Sequence, residues 1–180
     1  MQGPPVIKTA LNFGALSGLG SFLVFLIIYA LGFNPLGPSS WLGAWVPVVF
    51  MVWSCLYYRN RENGGYLIYW SGFRLSFLTA SFSAFVFGAL AWSFVSVIDG
   101  SILDHHKQEL LSALELSEGL MKSMMGEVAF EQSIESITKM NMGDVVTSDI
   151  FNKILGGLLV AFIVAAFVKR DPVFKNTEEE

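Results

Sequence analysis

The sequence predicts an all-α integral membrane protein, with four transmembrane helices and an outward-facing amphipathic helical hairpin between helices three and four. Three observations carry that reading. Hydrophobic residues make up 53% of the 180-residue chain and charged residues only 14%, where soluble domains hold about 25% charged residues. The apolar residues arrive in blocks: stretches 11–33, 41–58, 75–98 and 154–168 contain no Asp, Glu, Lys or Arg. The one long polar stretch, 99–149, repeats its apolar residues at helical rather than strand spacing.

A bilayer core of about 30 Å takes about 20 apolar helical residues, so the first three blocks span on their own. The fourth is short, but Ile150 and Phe151 extend it past Asn152 and Lys153, whose polar ends reach the interface. The first block is longer than the ~7–15-residue core of a secretion signal and is expected to be retained. Pro47 lies inside the second block and is expected to kink it by removing a backbone donor. The chain thus divides into three transmembrane helices over 1–98, an extracytoplasmic helical segment over 99–149, a fourth transmembrane helix over 150–170 and a cytoplasmic acidic tail over 171–180.

Charge sets the orientation. Lys8 precedes helix one, Arg59, Arg61 and Arg74 flank the loop between helices two and three, and Lys169, Arg170 and Lys175 follow helix four. The 99–149 segment carries ten acids against Lys107, Lys122 and Lys139. The bias of Lys and Arg toward the cytoplasmic side puts both termini in the cytoplasm and 99–149 on the outer side. Trp41 and Trp45 at one end of helix two, and Tyr57, Tyr58, Tyr66, Tyr69 and Trp70 at the other, are placed as interfacial anchors.

Helices in lipid associate through small residues that let backbones approach. Helix three offers Gly72, Ser76, Ala80, Ala84 and Gly88 at spacing four. Helix one offers Ala10, Gly14 and Gly18, and helix four Gly157, Ala161 and Ala165. These stripes dock helices on each other or on a partner. No ionisable residue stands mid-span, and ion-coupled transport usually places one there. Ser81, Ser83 and Thr79 form a polar seam whose usual role is local glue.

Wound as one helix, residues 103–125 put Leu103, Leu110, Leu114, Met121, Met124 and Met125 on one face and Asp104, Gln108, Ser112, Glu115 and Lys122 on the other. His105 and His106 are neighbours and point about 100° apart, so they do not chelate one ion as an i,i+4 pair does. With Met121, Met124 and Met125 they are the residues a soft metal would use; methionines filling an irregular apolar face are the simpler reading, and no metal or cofactor is expected. A second helix follows, with Phe130, Ile134, Ile137 and Met140 on one face and Glu127, Glu131, Glu135 and Lys139 forming a solvated ridge. Gly126 separates the two helices, 141–144 reads as a turn, and Thr147, Ser148 or Asp149 is expected to cap helix four.

The stretch YYRNRENGGYLIYWSGFRLSF (57–77) joins a basic turn and a Gly-Gly pair to an aromatic-rich helix start, and ILGGLLVAFIVAAFVKRDPVF (154–174) ends a glycine-started helix on Lys-Arg-x-Pro. With the outer helical segment between them, the chain resembles a Bacteroidota family of small four-helix inner-membrane proteins known as a domain of unknown function. The resemblance implies the fold, a Gram-negative inner membrane and the outward helical insertion, and transfers no catalytic residue.

Gly64 and Gly65 lack the lysine and spacing of a phosphate loop and read as a tight turn. Cys55 and the membrane serines have no accompanying base, which argues against an enzyme. The scattered basic residues argue against nucleic-acid binding. The function expected is a non-enzymatic inner-membrane accessory or scaffolding subunit of a larger complex. Its partners are the lipid bilayer and another membrane protein or a second copy, with Leu110, Leu114, Met121, Met124 and the small-residue stripes as contact candidates. The alternatives are a small uncoupled transporter or channel acting as a homo-oligomer, and an extracytoplasmic metal sensor or chaperone.

Overall fold

The computed structural model describes residues 6–171; Lys175 and the acidic tail from Asn176 to Glu180 lie outside them. Among the described residues the chain forms seven α-helices: α1 (Val6–Ala30), α2 (Trp45–Tyr57), α3 (Tyr69–Val97), α4 (Ser101–Leu116), α5 (Glu118–Met125), α6 (Glu127–Lys139) and α7 (Met142–Val168). Four segments are long and apolar enough to cross a membrane: Val6–Ala30, Pro38–Glu62, Tyr69–Val97 and Met142–Val168. Their exposed large side chains, such as Leu16, Leu19, Leu23 and Ile27 on α1 and Leu159, Ile163 and Phe167 on α7, are those a bilayer would cover. Of the interfacial aromatics, Trp41, Trp45, Tyr57, Tyr66 and Trp70 are exposed, whereas Tyr58 is buried and belongs to the core.

Contacts divide the described chain into two compact units, one of residues 6–21, 44–87 and 150–171, the other of 22–43 and 88–149. In the first unit the small residues meet one another. Gly72 lies against Ala165, and a Cβ on Gly157 would stand 2.8 Å from that of Ala80. Gly14 and Gly18 of α1 lie against the Thr79 and Ser83 carbonyls of α3. Ser76, Ala84, Ala161 and Ala10 are buried with them, and Gly88 is buried in the second unit. The stripes on α1, α3 and α7 therefore pack against one another within the chain.

Of the polar seam, Ser83 and Thr79 make internal contacts, while the Ser81 hydroxyl is buried with no hydrogen-bond partner among the described residues. Ser17 and Ser83 hydroxyls lie 2.8 Å apart, the Thr79 hydroxyl donates to the Leu75 carbonyl and approaches Ser54 at 3.3 Å, and Cys55 sits 3.2 Å from the Ser76 oxygen. With Ser83 at 1% exposure, its hydroxyl is packed glue. A double-mutant cycle on Ser17→Ala and Ser83→Ala, read by unfolding in detergent, is expected to give about 1 kcal/mol for each single change. The double change should cost less than the sum, by a coupling of about 0.6 kcal/mol. Strict additivity would show that the two hydroxyls do not bond.

The loop after α2 is fixed by backbone geometry. The helix widens to a π turn over Tyr58–Glu62, and Gly64 and Gly65 then take φ of +63° and +89°, a left-handed conformation that glycine adopts without penalty. That is the tight turn expected of them. Leu67 and Arg170 exchange both backbone hydrogen bonds, at 2.8 and 2.9 Å, and the Arg59 guanidinium donates to the Val168 carbonyl at the end of α7, where a cation suits the helix dipole. At the start of α1 the Thr9 hydroxyl donates to Glu62 at 2.6 Å.

Three sequence expectations change. Pro47 falls just past the step from the 3-10 turn Pro38–Ala44 into α2, so it marks a helix start instead of a mid-span kink. α7 begins at Met142, well before Thr147, Ser148 and Asp149. Its cap is the reciprocal pair in which the Asn141 amide donates to Asp144 and the Asp144 amide to Asn141, a capping box that satisfies two otherwise unpaired donors. The expected single helix over 103–125 is two, because the chain breaks at Ser117 (φ −107°, ψ 11°), where the serine hydroxyl bonds back to the Ala113 carbonyl and competes with the helix ladder.

Candidate functional site

The second unit holds the polar chemistry, and it starts at the end of α1. There Gly32 takes φ +80° while the Gly32 amide bonds to the Tyr29 carbonyl and the Phe33 amide to that of Ile28. This double closure ends the helix on its glycine and delivers Asn34-Pro35-Leu36-Gly37 as a fixed turn. The Asn34 side-chain oxygen accepts from the Leu36 amide at 3.0 Å, the short-range bond that makes Asn a turn former.

Asn34 is buried, and its amide nitrogen reaches α4. It donates to Glu109 Oε2 at 2.6 Å and lies 3.3 Å from His106 Nδ1. Gly37 makes room for this meeting, since a Cβ there would stand 2.7 Å from Glu109 Oε2. The other Glu109 oxygen is 3.3 Å from His105 Nε2. One carboxylate therefore collects the turn and one histidine, while the second histidine lies on the turn's amide. Burial holds His106 below the usual imidazole value, and the Glu109 charge offsets part of that shift.

A second tie lies alongside. The Tyr29 hydroxyl donates to Asp99 at 2.8 Å, and Asp99 also accepts from the Ser101 hydroxyl and amide at 2.6 and 3.0 Å. These bonds, that of the Ser101 hydroxyl foremost, hold the Asp99 carboxyl below the usual carboxylate range and fix the first turn of α4. Tyr29 is itself set by the rings of the unit, with Phe94 edge-on at 5.3 Å, and Phe22 and Phe25 also contact Phe94. An open cleft of about 450 Å³ lies between the two ties, lined by Tyr29, Phe33, Asn34, Asp99, Asp104 and His105 among others. It presents carboxylates and ring edges and no lysine or arginine, a lining suited to holding groups in place.

The sequence-predicted residues scatter around this frame. His105 and His106 diverge onto different partners, as adjacent helical residues must. Met121, Met124 and Met125 stand on α5, a separate helix, and no three His, Cys, Asp or Glu side chains gather around a common point among the described residues. The acidic ridge of α6 is partly neutralised: Lys122 bridges Glu118 at 2.9 Å and Glu127 at 3.3 Å, its amine over the Phe130 ring, and Glu135 pairs with Lys139. Lys122 thereby spans the α5–α6 turn at Gly126, whose φ of +84° suits glycine. Of the partner-contact candidates, Leu114 is buried and Leu110 and Met121 are half-buried, which leaves Met124 exposed. The helices α4, α5 and α6 pack on one another. Sequence reasoning passed over Asn34 and Tyr29; the Asn-Pro dipeptide was the available signal for the first.

Comparisons with known proteins place the chain among its relatives. No curated protein and no solved structure matches it. The model of one family, described as a protein of unknown function (DUF4199), matches residues 12–170, nearly the whole chain, and the chain belongs to that family.

Proposed function

We propose that the chain is a non-enzymatic accessory or scaffolding subunit of a larger membrane assembly. We place it in the inner membrane of a Gram-negative bacterium of the Bacteroidota, with both termini cytoplasmic and residues 99–149 periplasmic. The observation that carries this reading is four large apolar side chains left exposed on the outer segment, Leu116 at the end of α4, Leu120 and Met124 on α5 and Val128 on α6, between 65% and 91% exposed. Leu114 of α4 and Phe130 of α6, by contrast, are buried. Exposed apolar patches of this kind mark interaction sites. Helices that lie on a membrane usually carry Lys and Arg beside the apolar face; here the flanks are Glu115, Glu118, Glu127 and Glu131, and the one nearby lysine, Lys122, is paired. A protein partner fits those flanks better than an anionic lipid surface. The topology rests on the distribution of Lys and Arg, and the bacterial group on the resemblance of the 57–77 and 154–174 stretches.

The test is gentle extraction of the tagged protein with the intact complex weighed by native mass spectrometry. A stoichiometric membrane partner is expected, lost when Leu116, Leu120 and Met124 are changed to serine while the helical content stays unchanged. A partner that survives those changes, or a chain that extracts alone, overturns the reading.

A further inference from the structure

Asn34 sits where its orientation cannot be reversed without loss. Its oxygen accepts from the Leu36 amide and its nitrogen donates to Glu109, so two independent partners fix which end of the side-chain amide points where. The nitrogen that faces His106 is therefore an NH2 donor, and His106 Nδ1, at 3.3 Å, must be the acceptor. An imidazole accepts at Nδ1 only when it is neutral with its proton on Nε2. A proton added at Nδ1 would set N–H against N–H. The amide could then rotate to offer its oxygen, but only by dropping the Leu36 amide and turning that oxygen toward the Glu109 carboxylate. Either way the turn loses a bond to α4.

We propose that Asn34, His106 and Glu109 form a proton-operated clasp, which fastens the 31–37 turn to α4 near neutral pH and releases it in mild acid. The groups around His106 leave this role to it. The turn itself carries no ionisable side chain. On α4 the nearest charges are Glu109, paired with His105, together with Asp104 and with Lys107, whose amine reaches the Thr138 carbonyl. The end of α1 brings Tyr29, bonded to Asp99. The helices packed on α4 bring Glu118, Lys122 and Glu127, joined to one another, then Glu131 and the Glu135–Lys139 pair. Of all these, Glu109 is the charge that acts on His106.

The sign follows from linkage. A histidine held below its unfolded value of about 6.5 contributes stability that is complete above that value and is lost as pH falls below it toward the folded value. The clasp should therefore be closed at pH 7.5 and open progressively below about 6.5, whereas Asp99, held low among its own donors, stays ionised and keeps the Tyr29 tie through the same window.

Hydrogen exchange on the full chain in detergent, corrected for intrinsic rate, reads the clasp at the Leu36 amide, whose acceptor is the Asn34 oxygen. Between pH 7.5 and 5.5, one unit below the unfolded histidine value of about 6.5, protection there is expected to fall severalfold, by at most about tenfold, while the Ser101 amide on Asp99 changes little. His106→Gln, which is neutral and still offers an acceptor oxygen, should abolish the pH response, and His105→Gln should retain it. Protection at Leu36 that ignores pH in the unmodified chain overturns the clasp without any variant. A response that persists in His106→Gln overturns it as well.

Discussion

Gly18→Val is expected to be the most damaging single change at the α1–α3 contact, lowering stability by about 3 kcal/mol, at the upper end of the cost of overpacking a filled core. A Cβ at Gly18 would stand 2.6 Å from Val86 Cβ and 3.0 Å from the Ser83 carbonyl. The first neighbour is a β-branched side chain with one favoured rotamer in a helix and the second is backbone, so neither swings aside. The helices must separate, and the nearby Ser17–Ser83 bond goes with them. Against a total of about 5–15 kcal/mol for an ordinary domain, a loss of that size appears directly as a lower midpoint in thermal unfolding in detergent. Adding Val86→Ala should return part of it. Gly156→Val is the matching control: nothing lies within 4 Å of a Cβ there, so a change within about 0.5 kcal/mol is expected. A Gly18→Val protein that melts with the unmodified chain would remove the close approach of α1 and α3 from the account.

Leu67→Ala should cost nearly as much for the opposite reason, a void in place of a clash. Leu67 is fully buried in the cluster that includes Met51, Cys55, Leu75 and Val168. Removing its side chain is expected to cost about 3 kcal/mol, within the range for deleting buried leucines. The two backbone bonds to Arg170 remain, so the loop stays tethered but loses the plug beneath it. Limited proteolysis should cut the 58–68 loop faster in Leu67→Ala, along with a lower unfolding midpoint. Ile68, its half-exposed neighbour, supplies the contrast: Ile68→Ala should cost under about 1 kcal/mol. Equal behaviour of the two variants would refute the inward placement of Leu67.

These effects also explain what was readable in advance. The apolar blocks named all four helical segments long and apolar enough to cross a membrane, because a run that must satisfy its backbone in hydrocarbon has few alternatives to a helix. The small-residue stripes were legible as close-approach surfaces from spacing alone. Whether Gly72, Ala80 and Gly157 met each other or another chain was not, because a four-residue period describes one helix and carries no information on its neighbour. The outer segment was read less well. Its amphipathic period is real, yet Ser117 divides it between two helices, and Leu116, about 200° round α4 from the buried Leu114, is exposed. Asn34 drew no notice, since a lone asparagine in an uncharged turn looks the same whether its side chain meets water or a carboxylate 75 residues later.

The sequence by itself determined the class of protein, the number of membrane-length helices and the separation of acidic from basic segments, because these follow from local composition and from the thickness of a bilayer. Tertiary structure alone decided which apolar residues remained exposed after the helices had covered one another, and which polar groups met. Those outcomes depend on distances between residues far apart in the chain. The bond from Asn34 to Glu109, the hydroxyl pair of Ser17 and Ser83 and the exposure of Leu116, Leu120, Met124 and Val128 are settled only once the helices are in place.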